Sequence, residues 1–166
     1  FGAQNQSYFF SAEDVRPALA QSIWHHELPL YGPSTCLYML LAREIHDEVT
    51  VLLTGEGADD IFLGYFADWT FDESPHSLFK NFIGKPMLEQ LLGPAGQDQA
   101  SAKRVALAGS ARLAGMSPVQ KSSVVTIETV LHGLLARHDR MFMAHSIEGR
   151  PPFCTDEVIR ARFALD

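Results

Sequence analysis

Residues 49–60 read Val-Thr-Val-Leu-Leu-Thr-Gly-Glu-Gly-Ala-Asp-Asp, and this stretch decides the fold that the sequence predicts. The apolar, β-branched run from Val49 to Leu53 indicates a strand, and its unbroken apolar character favours an interior position in a parallel sheet. The run then passes through Gly-Glu-Gly into a predicted helix that continues to Tyr65. A strand, a glycine turn and a helix N-terminus are where α/β sheets bind phosphate groups, because unpaired N–H groups point outward there.

Three acidic side chains lie in this stretch, namely Glu56, Asp59 and Asp60. They would repel a bare phosphate, but a divalent cation between the carboxylates and the phosphate oxygens removes that repulsion. The sequence therefore predicts a metal–nucleotide site. The alternative is a solvated turn, since acidic residues in a first helical turn also complement the helix dipole and a Gly-x-Gly turn alone is a weak signal.

The composition is that of a soluble globular domain: 166 residues, 46% hydrophobic and 20% charged. Thirteen lysines and arginines against 20 acidic residues give a net charge of −7, which argues against nucleic acid and anionic membrane surfaces as partners. No apolar run approaches transmembrane length. The two cysteines, Cys36 and Cys154, have no metal-ligand spacing and are predicted to be free thiols in a reduced, cytoplasmic setting.

Helix signals surround the single predicted strand. A helix that begins at Ser11 should carry Val15, Leu19 and Ile23 on one face, with Pro17 kinking it or resetting its start. A single strand cannot form a sheet, so its partners are expected outside the chain or among predicted helices. Ser34 is predicted to cap a second helix and Asp156 to cap the last one. Further helices are predicted over Ser101–Leu113 and from Ser117 to about Arg140, and residues 93–99 are predicted to be a linker.

Three segments resemble blocks of the asparagine synthetase family. Residues 54–65 read Thr-Gly-Glu-Gly-Ala-Asp-Asp-Ile-Phe-Leu-Gly-Tyr and are similar to its Ser-Gly-Glu-Gly-x-Asp-Glu-x-Phe-x-Gly-Tyr signature. Residues 139–153 read Asp-Arg-Met-Phe-Met-Ala-His-Ser-Ile-Glu-Gly-Arg-Pro-Pro-Phe and resemble its Asp-Arg-x-Ser-Met-Ala-His-x-x-Glu-x-Arg-x-Pro-Phe block. Residues 29–34 are similar to its Pro-x-x-x-Pro-Ser segment, and the three segments occur in family order.

The resemblance implies a role for each matched residue. Glu56 corresponds to the glutamate associated with forming the acyl-adenylate, and Thr54 and Gly55 correspond to ATP contacts through a hydroxyl and N–H. Asp59 resembles the family's magnesium ligand. Asp60 stands where the family has a glutamate, one methylene longer, and is predicted to be a second metal ligand.

Other charged residues are open to two interpretations. Arg150, before two prolines, is predicted to lie in an extended segment and to meet the anionic end of a substrate. The alternative is a salt bridge to Asp139 or Glu148. The seven histidines show no metal-binding spacing, and His138 and His145 are predicted to be polar surface or core-edge residues.

The resemblance implies an α/β fold, a doubly wound parallel-sheet domain of the ATP-pyrophosphatase (adenine nucleotide alpha hydrolase-like) type. This segment would contribute many helices and one clear strand. For the whole protein it implies a glutamine-hydrolysing asparagine synthetase that uses ATP and Mg²⁺ to convert aspartate to β-aspartyl-AMP. Ammonia from glutamine, released by a glutaminase domain in the same chain, then displaces AMP to give asparagine. A homodimer is left open.

Two family features do not occur within these 166 residues: the Ser-Gly-Gly-x-Asp-Ser loop that holds pyrophosphate, and the glutaminase domain. We therefore expect residues 1–166 to be a partial synthetase domain that is inactive by itself. Two alternatives stay open. The first is a β-lactam-forming or peptide-cyclising relative, which Glu56 disfavours because lactam-forming relatives tend to carry tyrosine there. The second is a degenerate domain kept for binding or assembly.

Overall fold

A computed structural model of the chain describes residues 2–28, 30, 32–64, 106, 107 and 109–165. The linker predicted at 93–99 lies outside the described residues, as do the first five residues of the helix predicted over Ser101–Leu113. The predicted end of that helix is wrong, because Ala111–Leu113 form a separate 3-10 turn after an extended Ser110. The contacts form two units, Phe1–Glu56 with Gly133–Pro152 and Gly57–His132 with Phe153–Asp166. That residues 1–166 form one partial domain stays a prediction.

The first helix, α1, spans Ala12–His26, and Ser11 caps it as predicted. The Ser11 side chain accepts a hydrogen bond from the Asp14 N–H, while the Asp14 carboxylate accepts from the Ser11 N–H at 2.8 Å. This reciprocal pair satisfies two of the donors that a helix N-terminus leaves open. Pro17 lies inside the helix, which continues past it.

The buried face of α1 differs from the predicted one. Leu19 and Ile23 are exposed, whereas Ala18, Ser22 and His26, spaced four residues apart, are buried. The small side chains of Ala18 and Ser22 let a neighbouring helix approach closely, and α1 packs against the second helix, α2, which spans Ser34–Ile45. Of the predicted face, Val15 packs on this contact. The predicted face is wrong because close approach of helices, not side-chain hydrophobicity alone, decides which face is buried.

The first unit contains two small apolar clusters. One consists of Ala18 on α1 with Cys36 and Leu40 on α2, so Cys36 is a buried free thiol as predicted. The other joins residues of α2 to residues near position 145, namely Ala42, Ile45, Phe142 and Ile147. Together they fix α2 against the strand that follows it, because Leu52 packs on the second cluster.

The predicted strand is present as β1, Val51–Leu53, two residues shorter than predicted, and its neighbour is parallel as predicted. Val51 and Leu53 are exposed, so in the described part of the chain β1 does not have the interior position that was predicted. That neighbour is β2, Glu148–Arg150, with Val51 opposite Glu148 and Leu53 opposite Arg150. The expectation that the partner lies outside the chain or in a predicted helix is wrong. Glu-Gly-Arg carries no apolar alternation, so pattern alone could not identify it. Within the described residues the sheet has two strands, and the doubly wound arrangement stays a prediction.

The second unit is built on a short helix, α3, which spans Ala58–Phe62. The helix was predicted to continue to Tyr65, but it ends at Phe62. Leu63 adopts the left-handed conformation with φ 57° and terminates it. α3 packs on α4, which spans Pro118–Thr126, and the Ser123 hydroxyl of α4 donates to the Ile61 carbonyl at 3.3 Å.

The long helix predicted from Ser117 is confirmed and extends past Arg140. Helical residues follow without a break through α4, a π-helical segment at Ile127–Leu131, and α5, which spans His132–Met143. Ser117 and Gln120 form the N-terminal capping box of α4. The last helix, α6, spans Asp156–Phe163 and has Thr155, not Asp156, at its cap position.

The described part of the chain is thus mostly helical with a small parallel sheet. None of its helices combines the length and the apolar character needed to cross a membrane.

Candidate active site

Glu56 lies in the turn after β1, and its side chain is only 8% exposed. The Tyr38 phenol on α2 donates a hydrogen bond to its Oε2 at 2.7 Å. Arg137 on α5 donates from Nη2 to Oε1 at 3.1 Å and to Oε2 at 3.2 Å. Glu56 is therefore not the solvated turn glutamate of the alternative interpretation, because fixed donors hold its carboxylate on two sides.

Arg137 connects this carboxylate to the start of α2. Its Nη1 donates to the Ser34 hydroxyl at 2.9 Å, and its guanidinium carbon lies 4.9 Å from the centre of the Tyr38 ring, a cation–π distance. Ser34 is therefore the first residue of α2 and an acceptor for Arg137, not the side-chain cap that was predicted. We call Ser34, Tyr38, Glu56 and Arg137 the Glu56 cluster.

The Glu56 cluster joins residues that are distant in sequence. Ser34 belongs to the first family-like segment and Glu56 to the second, while Arg137 stands two residues before the third. The three segments are separated along the chain, and a single guanidinium contacts the first two. Ser34 and Glu56, which belong to two of these segments, are thus brought together in the first unit.

The protonation state of Tyr38 follows from its surroundings in the Glu56 cluster. Burial, together with the hydrogen bond to Glu56 and the charge of that carboxylate, raises the pKa of Tyr38 to about 12. The phenol is therefore protonated at neutral pH and acts as the donor in its bond to Glu56. The cluster pairs one cation with one anion and one neutral donor.

His138, the residue after Arg137, contacts Thr54, which lies two residues before Glu56. Its Nε2 lies 2.9 Å from the Thr54 hydroxyl oxygen, and its ring is buried at 5.0 Å between centroids from the Phe142 ring. Burial lowers the pKa of His138, so the imidazole is neutral at pH 7. The prediction of a surface or core-edge histidine is wrong.

Gly149 makes room for this imidazole. It lies in β2, and a Cβ atom built there would overlap the His138 ring. A side chain of any size would therefore push His138 away from Thr54. The glycine in the middle of Glu-Gly-Arg has a steric reason that the sequence pattern did not reveal.

The two predicted ATP contacts, Thr54 and Gly55, differ in what they can offer. The Thr54 N–H donates to the Arg150 carbonyl at 3.0 Å and so extends the β1–β2 ladder. Its hydroxyl, bonded to His138, can still take a second partner, because a hydroxyl both donates and accepts. Gly55 is exposed, with open space where a Cβ would stand, so a ligand can approach its backbone closely.

In the second unit, Gly57 begins the turn into α3 and is required twice over. Its φ is +84°, which favours glycine. A Cβ there would also overlap the Cys154 sulfur and lie 3.1 Å from Cδ1 of Leu131. The second glycine of Gly-Glu-Gly is therefore fixed by both backbone conformation and packing.

The two predicted metal ligands on α3 have different surroundings. Asp59 is exposed, and its carboxylate occupies the space that a side chain at Gly64 would fill. Asp60 is 1% exposed and packed in the interior of the second unit. Among the described residues, no group of three or more His, Cys, Asp or Glu side chains is placed to hold a metal ion. Mg²⁺ commonly takes one or two carboxylates and completes its shell with phosphates and water. That Asp59 and Asp60 are magnesium ligands stays a prediction.

Arg150 lies at the end of β2 and is exposed. Its Nε donates to Glu148 Oε1 at 2.8 Å and its Nη2 to Oε2 at 3.2 Å, which is the salt bridge of the alternative interpretation. These hydrogen bonds lower the pKa of Glu148. A role for Arg150 at the anionic end of a substrate stays a prediction.

Sequence reasoning does not find Tyr38 or Arg137, and it assigns Ser34 and His138 other roles. One signal was available: Ser34 and Tyr38 are four residues apart and so share a face of a predicted helix. No local signal links Arg137 to Glu56, because the contact spans 81 positions of sequence.

Comparisons with known proteins agree with the motifs. A family sequence model described as asparagine synthase matches residues 1–166. Asparagine synthetase [glutamine-hydrolyzing] 1 of Bacillus subtilis is 28% identical over 95% of this chain and 31% of that protein. A Mycobacterium bovis protein provisionally named asparagine synthetase [glutamine-hydrolyzing] is 27% identical over 95% of the chain and 30% of its own length. Asparagine synthetase [glutamine-hydrolyzing] 3 of B. subtilis is 26% identical over 96% of this chain and 27% of that protein. The chain thus spans about a third of the curated relatives it matches. No solved structure matches it.

Proposed function

The chain belongs to the asparagine synthase family, and we propose that it is part of the ATP-dependent synthetase domain of a glutamine-hydrolysing asparagine synthetase. The observation that carries this proposal is the buried Glu56 carboxylate in the family-like turn, held by Tyr38 and Arg137. A turn that served only to connect β1 to α3 would have no need of a buried carboxylate with charged and phenolic donors.

The proposed reaction has two steps. In the first, an oxygen of the aspartate side-chain carboxylate attacks the α-phosphorus of ATP. The bond from that phosphorus to the oxygen bridging to the β-phosphate breaks, and pyrophosphate leaves with the electron pair. In the second step, ammonia attacks the acyl carbon of β-aspartyl-AMP, AMP leaves with the electron pair of the acyl C–O bond, and the nitrogen loses a proton to give asparagine.

Each residue of the turn has a proposed part in the first step. Glu56 acts in adenylation from its fixed position, and the Thr54 hydroxyl and Gly55 backbone contact the nucleotide. Asp59 is the proposed magnesium ligand, and bound Mg²⁺ would neutralise charge on the phosphate oxygens. We assign Asp60 to packing, since its side chain is enclosed.

The remaining parts of the proposal follow the family. The substrates are ATP, aspartate and ammonia derived from glutamine, with a glutaminase domain in the same polypeptide and a cytoplasmic location. A homodimer is a further hypothesis. These properties are proposed for the whole protein. The matched relatives are about three times as long as this chain.

A second candidate is a non-catalytic domain kept for binding or assembly. The Glu56–Arg137 ion pair gives this candidate its support, because a buried pair can be retained for structure alone. A synthetase that activates a different carboxylate, such as a cyclising relative, is distinguished by its substrate.

Isotope transfer in the full-length protein tests the proposal. Aspartate labelled with ¹⁸O in its side-chain carboxylate is incubated with ATP, Mg²⁺ and glutamine, and the nucleotide product is analysed by mass spectrometry. We expect AMP that carries one ¹⁸O for each asparagine formed. Formation of ADP and phosphate would contradict adenylation, and the absence of any aspartate-dependent product would favour the non-catalytic candidate. Glutamate labelled in the same way serves as the substrate control.

A further inference from the structure

Arg137 contacts every other member of the Glu56 cluster, although it lies outside the three family-like segments. Its side chain is 8% exposed, and its donors reach Ser34 on one side and Glu56 on the other. The face of its guanidinium group lies on the Tyr38 ring. An arginine fixed at both edges and on one face has little freedom to change rotamer.

Stability is a weak reason for such a pair. Removing two charges from water costs free energy that their attraction often fails to recover, and well-packed apolar residues of similar size commonly stabilise a protein as well or better. What a buried ion pair does supply is a defined position for each charge. For Glu56, that position is the exit of β1, next to the backbone of Gly55.

The geometry gives Arg137 a greater influence on Glu56 than Tyr38 has. The Tyr38 phenol contacts one carboxylate oxygen, and by itself it would leave the carboxylate able to rotate about that bond. Arg137 Nη2 contacts both oxygens, and together with the Tyr38 hydroxyl it restricts rotation of the carboxylate. A lysine could supply the charge but not simultaneous contacts to Ser34 and Glu56, because it lacks the forked guanidinium.

We propose that Arg137 is a positioning residue that holds the Glu56 carboxylate in place for the adenylation step. It acts through Glu56 and not on the substrate. This inference rests on the proposed function, since it assigns a task to Glu56 in that reaction.

The test uses Arg137→Gln and Arg137→Lys in the full-length protein, assayed by aspartate-dependent exchange of pyrophosphate into ATP. The matched control is Arg43→Gln, which removes an exposed arginine of α2 that pairs with Glu44. Each variant is compared for kcat, for the KM of ATP and aspartate, and for thermal unfolding followed by circular dichroism. Activities are expressed per folded molecule, so that loss of stability does not count as loss of chemistry.

We expect Arg137→Gln to lower kcat by about 100-fold while the KM of ATP stays within about threefold, as for loss of an interaction that matters mainly in the transition state. Arg137→Lys should recover part of the rate, because the charge is kept. Should Arg137→Gln fail to fold, Arg137→Lys carries the test, with an expected loss in kcat of about 10-fold.

A kcat per folded molecule equal to that of wild type in Arg137→Gln, or in Arg137→Lys where Arg137→Gln does not fold, would overturn the positioning role and leave the proposed function intact. So would a loss in Arg137→Gln seen only as a raised KM. A wild-type protein that shows no aspartate-dependent exchange would instead contradict the proposed function, and the inference would fall with it.

Discussion

Glu56 and Asp59 are three residues apart in one motif, and the structure gives their carboxylates opposite surroundings. Glu56 is buried in the first unit and is held by Tyr38 and Arg137, whereas Asp59 is exposed on the first turn of α3 in the second unit. The difference matches two kinds of task. A carboxylate that must keep one position benefits from fixed donors, while one that binds a hydrated cation has to remain open to water.

Each carboxylate region also depends on a glycine elsewhere in the sequence. In the first unit, Gly149 leaves space for the His138 ring that contacts Thr54, and in the second unit Gly64 leaves space for the Asp59 carboxylate. Both glycines act through the side chain they lack, not through an unusual φ, since neither is among the residues with positive φ. The two regions are therefore alike in one respect, since in each of them a glycine leaves space for a side chain near the carboxylate or for the carboxylate itself.

The largest expected effect comes from breaking the buried pair. Arg137→Met removes the guanidinium that pairs with Glu56 and should lower the free energy of unfolding by about 3–5 kcal/mol, measured by urea denaturation. Asp59→Asn, at the exposed carboxylate, should stay within about 0.5 kcal/mol of wild type. The double variant Glu56→Gln/Arg137→Met should be more stable than Arg137→Met alone. If Arg137→Met, Asp59→Asn and the double variant all lost the same small amount of unfolding free energy, the stated difference in burial between Glu56 and Asp59 would be contradicted.

A second prediction concerns Gly57, the residue between the buried carboxylate and the exposed one. Gly57→Ala should destabilise the protein more than Gly115→Ala, although both glycines have φ +84°. A methyl group at Gly115 meets open space and adds only the conformational cost of about 1–2 kcal/mol. At Gly57 it also overlaps Cys154 and crowds Leu131, which adds about 1–3 kcal/mol. Equal losses in urea denaturation would contradict the packing role of Gly57.

Particular residues show how far the sequence could predict this structure. The run at 49–53 predicted β1 and its parallel pairing because β-branched apolar residues leave a local pattern. The cap at Ser11 and the helix from Ser117 were predictable for the same reason, since capping boxes are local. β2 was not predicted because Glu-Gly-Arg has no apolar alternation. Its central Gly149 leaves space for the His138 ring, and the local sequence does not show that contact.

The candidate site divides along the same line. The motif pointed to Glu56 and Asp59, but nothing near them in sequence shows that one is buried and the other exposed. Burial of Glu56 depends on Arg137, which is 81 positions away, and such a contact exists only once the chain has folded.

A third prediction uses the open carboxylate. In the full-length protein, Asp59→Asn should raise the Mg²⁺ concentration needed for half-maximal exchange by about 10-fold or more, since a neutral amide is a poorer ligand for a hard cation. Gly64→Ala, which displaces the same carboxylate, should shift the Mg²⁺ dependence in the same direction. Titration of activity with Mg²⁺ at saturating ATP measures both, with Arg43→Gln as the control. An unchanged Mg²⁺ requirement in Asp59→Asn would remove Asp59 from the metal site.

The smallest expected effect is on the pH dependence of stability. Burial lowers the pKa of His138 below its ordinary value of 6.5, so the unfolded chain takes up a proton at a higher pH than the folded protein does. Stability should be complete above pH 6.5 and fall as the pH drops below it through the folded pKa. His145, whose pKa burial also lowers, contributes in the same direction. Unfolding free energies between pH 5 and 8 should show a shallower fall in His138→Gln, and an identical pH profile would contradict a buried neutral imidazole.

The most direct test of the central claim is the rate of aspartate-dependent pyrophosphate exchange by full-length Glu56→Gln at saturating ATP, Mg²⁺ and aspartate. Glutamine keeps the size of the side chain and removes its charge. We predict that the rate per folded molecule falls by about 100-fold or more relative to wild type and to Arg43→Gln. A rate equal to that of wild type would contradict a role for the buried carboxylate in adenylation and would leave the Glu56 cluster as a structural ion pair.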